Sequence, residues 1–71
     1  MNATDQIIVR HAHERAVARL EHEPSYCRAI PSSDDVRAVL RDQGHEYTRR
    51  QIYVLCESMG LLLSDMPIHH G

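Results

Sequence analysis

The chain is 71 residues long, 42% apolar and 25% charged, with 3 Gly, 3 Pro and neither Phe nor Trp, which leaves room for one small domain with a lean core (residues 1–71) and excludes a second. A core of this size rarely supplies more than about 3–5 kcal/mol, which argues against a preorganised catalytic site with its supporting shell. The net charge is −2 with His neutral, and all eight basic residues are Arg, so the strongly basic balance usual for dedicated nucleic-acid binders is missing while every fixed positive charge is a planar fork suited to phosphate or carboxylate.

The first helix is predicted from Thr4, as N-cap with Asp5 in its first turn, to Glu21 or His22, ahead of Pro24. Val9, Ala12, His13, Ala16, Val17 and Leu20 recur at the spacing of one helix face. His11, Arg15, Arg19 and His22 recur on the opposing face as a cation-capable stripe that suits an acidic protein surface or a phosphate backbone. Ser25 to Pro31 reads either as a short strand or as an extended loop. A second helix starts at Ser32 or Ser33, where a hydroxyl and the Asp34-Asp35 pair meet the free amides, and ends at Gly44; Val36, Val39 and Leu40 form its apolar face.

The third helix has the clearest grammar in the chain. Thr48 is an N-cap with Gln51 three residues on, Tyr47 is placed to staple against Ile52, and Ile52, Leu55, Cys56 and Met59 share a face that Gly60 closes. Leu61 to Leu63 reads as a short buried strand or an extended tail, followed by a turn at 64–67. Residues 1–3 and 65–71 are expected to be flexible ends.

The longest apolar runs, Ile7-Ile8-Val9 and Leu61-Leu62-Leu63, are far shorter than the roughly 18–20 residues that span a bilayer, and Met1 to Gln6 lacks the charged start of a signal peptide. The expectation is a cytoplasmic protein that keeps Cys27 and Cys56 reduced. No cofactor and no metal is expected. His11 and His13 diverge by about 200° on a helix, and no C-x-x-C or H-x3-H pair supplies a nucleus; His69-His70 sits in the tail. His13, on the apolar face, reads as a satisfied core or interface residue. Cys56 on a buried face is expected to be an inert thiol, and Cys27, although beside Arg28, lacks a third group for catalysis. The chain reads as a non-enzyme.

Val36, Val39 and Leu40, then Gly44, then Thr48-Arg49-Arg50, Ile52-Tyr53, Leu55 and Gly60-Leu61-Leu62 resemble the helix-turn-helix unit of winged-helix regulators and of the small N-terminal domain of insertion-sequence transposases. The resemblance covers residues 36–62 and implies that the second helix of the pair enters the major groove by its N-terminal half, projecting Arg49, Arg50 and Tyr53 toward DNA. Val54 stands where those transposase domains tend to carry a further basic residue, and Glu46 and Glu57 balance Arg49 and Arg50. In size and build, though in no motif, the chain is also similar to phage-encoded regulators that bind bacterial RNA polymerase.

The expected fold is mainly α, a three-helix, helix-turn-helix-like domain with room for a minimal two-stranded β ribbon from residues 26–30 and 61–64. The expected function is that of a small transcription regulator acting by binding, with Arg49, Arg50 and Tyr53 on DNA, the stripe adding phosphate contacts, and dimerisation raising affinity. The alternative is a modulator that docks His11, Arg15, Arg19 and His22 onto a host machine such as RNA polymerase. A third reading is an oligomerisation module with Leu61 to Leu63 and Met66 as its homodimer face.

Overall fold

A computed structural model describes residues 3–21 and 30–66. Among these described residues there are three helices, α1 (Ala3–Glu21), α2 (Ser33–Asp42) and α3 (Arg49–Ser58), in the order the sequence predicts. None of these helices is long and apolar enough to cross a membrane.

Their packing follows the apolar spacing. Val9, Ala12 and Ala16 from α1, Val36, Val39 and Leu40 from α2, and Ile52, Leu55 and Cys56 from α3 are buried, joined by Leu63 from the segment after α3. The small side chains Ala12 and Ala16 let α1 approach its neighbours closely, because interhelix distance is set by the side chains at the contact. The flanking predicted positions His13, Val17 and Leu20 are half-buried. Burial pushes the Cys56 thiol up to about 11, as expected for a core cysteine. Cys27 lies outside the described residues.

α2 and α3 are built with the same punctuation. The Ser32 hydroxyl accepts the Asp35 amide at 3.1 Å and the Asp35 carboxylate accepts the Ser32 amide at 2.9 Å. The Thr48 hydroxyl and the Gln51 carboxamide make the same reciprocal pair at 3.1 and 2.8 Å. Each box satisfies amides that the first helical turn leaves free. At the other end, Gly44 and Gly60 adopt φ of 82° and 70°, and the residue after each donates its amide to the last turn, His45 to the Leu40 carbonyl and Leu61 to the Cys56 carbonyl, both at 2.8 Å. The choice between Ser32 and Ser33 as cap resolves to Ser32, and Ser33 becomes the first helical residue.

Three expectations change. Thr4 is not the cap of α1: the helix already includes Ala3, whose side chain costs least in a helix, so Thr4 lies within the first turn. The β ribbon is not formed by residues 61–64, of which 61–63 lie in no ladder and Ser64 is in a turn, while residues 26–29 lie outside the described residues. One backbone bond joins the two segments, the Ser64 amide donating to the Pro31 carbonyl at 2.9 Å, and Pro31 has no N–H to return. The last turn falls one residue early, at 63–66, closed by the Met66 amide on the Leu63 carbonyl at 3.2 Å. Leu61 and Leu63 face inward and Leu62 stands 66% exposed, the alternation of an extended segment.

Candidate nucleic-acid interface

With their apolar sides turned to the core, α2 and α3 leave the start and outer side of α3 in solvent. Arg49, Arg50, Gln51, Val54, Glu57 and Ser58 are exposed there. Gln51 is committed to its cap and the Ser58 hydroxyl donates to the Leu55 carbonyl at 2.8 Å. Arg49 donates to the Asp34 carboxylate in the first turn of α2 at 2.8 Å. That hydrogen bond and the Asp34 charge push the guanidinium further up from its usual range. Among the described residues Arg50 has no ion pair or hydrogen bond. It borders a shallow groove with Val54, Leu55 and Tyr47, across from Asp5. Tyr47 packs on the core and its hydroxyl donates to Asp5 at 2.7 Å. Burial and the Asp5 carboxylate both push its pKa up, so it remains a donor.

Tyr53, expected to meet DNA, is half-buried and takes part in a joint with the turn after α3. Its hydroxyl donates to Asp65 at 3.0 Å. The same carboxylate accepts the Ser33 amide at 2.8 Å and the Ser33 hydroxyl at 2.6 Å. Burial pushes the Asp65 carboxyl up, but the bonds it receives from Ser33, Tyr53 and its own amide outweigh this and hold it below the ordinary value. Asp65, expected in a flexible end, thus ties the turn after α3 to the start of α2. The reason is local chemistry: Ser33 is 1% exposed, and its first-turn amide needs an acceptor that α2 cannot supply.

The histidine-arginine stripe does not join this surface. Arg19 donates to Asp42, the last residue of α2, at 3.0 Å. His11 and Arg15 border an open cleft with Ile7, Ile8, Glu14, Gln43 and His45 beside the α2–α3 turn. His22 lies outside the described residues. Asp34 and Asp42 are separated by about 12 Å of helix rise, so Arg49 and the stripe sit at opposite ends of α2. His13 is held where the sequence placed it, half-buried, with Nε2–H donating to the Leu62 carbonyl at 2.7 Å. No three His, Cys, Asp or Glu side chains converge as metal ligands among the described residues.

The sequence reading missed Asp65 as a cap, His45 as a wall of the cleft, and Val54 and Glu57 as members of the outward face of α3. The first two depend on contacts far along the chain and leave no local signal. The last two were visible, because Arg50, Val54 and Glu57 recur at the spacing of one helix side.

Compared with protein families, curated proteins and solved structures, the chain matches none of them.

Proposed function

We propose that the chain is a small, non-enzymatic transcription regulator that acts by macromolecular binding, with the α2–turn–α3 unit presenting α3 to DNA. The observation that carries this reading is the division of α3 into a buried side, Ile52, Leu55 and Cys56, and an exposed side headed by the uncommitted Arg50. Arg49 adds a second guanidinium through a solvent-exposed ion pair with Asp34, which a phosphate can displace at little cost because exposed pairs are weak. Tyr53 contributes by bracing α3 through Asp65. A homodimer would place two copies of α3 on successive half-sites.

A protein partner is the second reading, a host machine such as RNA polymerase. The cleft favours it, since His11, Arg15 and His45 line it together with Ile7 and Ile8 and with a single acid, Glu14, a composition that suits an acidic surface with an apolar centre.

The test is titration of the full chain with duplex DNA at about 50 and 200 mM salt, with and without Arg49→Ala/Arg50→Ala. Counterion release predicts steep weakening with salt and loss of binding in the double variant while its helical circular dichroism is retained. Absence of DNA binding by the wild-type chain overturns the reading. A nuclease-resistant protein partner released by Arg15→Glu puts the second in its place.

A further inference from the structure

The outward side of α3 carries more than Arg50. Of its exposed side chains, Gln51, Ser58 and Arg49 are bonded within the fold, whereas Arg50, Val54 and Glu57 have no bonding partner among the described residues. These three stand at i, i+4 and i+7 and so line one side of the helix over about 10 Å of rise. That is roughly three steps of duplex DNA at about 3.4 Å each.

Their chemistry differs from that of a phosphate-binding face. Val54 is 42% exposed with no partner, a small apolar surface at the centre of the stripe. Glu57 repels a phosphate backbone, so on a helix that did nothing but track phosphates it would weaken the complex. Both make sense against base edges in the major groove. A guanidinium matches the O6 and N7 acceptors of guanine, an apolar side chain packs on the methyl group of thymine, and a carboxylate accepts from the N4 amino group of cytosine. A carboxylate also works by exclusion, since it leaves any base pair lacking a donor at that position facing an unpaired negative charge.

We infer that Arg50, Val54 and Glu57 form a base-reading stripe selecting, in that order along α3, a guanine, a thymine and a cytosine within about four base pairs. This rests on the DNA-binding reading above and assigns its sequence preference.

The experiment is selection from a randomised duplex pool with the full chain and with Arg50→Ala, Val54→Ala and Glu57→Gln. Circular dichroism checks that each variant is folded. The wild type is expected to enrich one short motif containing the three bases. Arg50→Ala is expected to relax the guanine position by about 5- to 150-fold, and Val54→Ala and Glu57→Gln each to relax its own position by less, with the other two unchanged in every case. An enriched motif that none of the three substitutions alters overturns the stripe. Salt-sensitive binding without any enriched motif also overturns it, while leaving the DNA-binding reading intact. No DNA binding by the wild type removes both.

Discussion

α2 and α3 begin with the same reciprocal cap and end with the same left-handed glycine, yet their N-termini sit in different surroundings. The first residue of α2 is inside the fold: Ser33 is buried and bonded to Asp65, while Asp34 and Asp35 stay in solvent. The start of α3 is in solvent, with Arg49 and Arg50 exposed. Identical local grammar therefore serves two purposes, a joint in one helix and an open face in the other. What separates them is the acceptor brought in from the turn after α3.

The strongest way to break this contrast is to remove that acceptor. Asp65→Ala strands the Ser33 amide and hydroxyl in a buried position and is expected to cost about 1–3 kcal/mol, read as a lower midpoint in urea. The pH dependence follows from the same bonds. Because the folded carboxyl is held below its unfolded value of about 3.9, its contribution is present above that value and is lost as pH falls through the folded pKa. Asp65→Asn should therefore flatten the acid limb of the stability profile; an acid limb identical to wild type would show that Asp65 does not carry it.

A smaller effect sharpens the comparison between the two caps. Thr48→Ala should cost about 1 kcal/mol, as loss of a cap does. Ser32→Ala should cost less, because Asp65 still holds the next amide of α2 while nothing equivalent backs up α3. Equal shifts in the two denaturation midpoints would mean that the Asp65 joint adds nothing at the start of α2.

The smallest expected change is at the ion pair between the two starts. Asp34→Ala should lower the denaturation midpoint only slightly, by about 0.3–1 kcal/mol from the lost first-turn acid of α2, since the pair with Arg49 is solvent-exposed, and should tighten DNA binding by freeing that guanidinium. Weaker DNA binding in this variant would show that Asp34 positions Arg49 for contact.

Much of the fold was legible because it is written in short-range signals. The start of α3 follows from Thr48 and Gln51 alone, and the core positions of all three helices follow from spacing. The start of α1 was placed two residues late, because Thr4 looks like a cap and carries no reciprocal partner to test it. The site was less legible. Arg50 was identifiable as an exposed cation, but the capture of Tyr53 by Asp65 and the separation of Arg49 from Arg15 and Arg19 depend on how the helices cross. Val54 and Glu57 were read as departures from a basic pattern, although their spacing with Arg50 was already in the sequence.

The turn at 63–66 and the leucine before it reach every part of the described domain. Leu62 is bonded to His13 of α1, Ser64 to Pro31, and Asp65 to Ser33 of α2 and Tyr53 of α3. A helix that comes loose removes an anchor of this turn, and loss of the turn in turn exposes the start of α2. The turn is thus a shared anchor for the three helices, and the Ser64 amide, held on the Pro31 carbonyl, is expected to exchange more slowly than the solvent-facing ends of the helices.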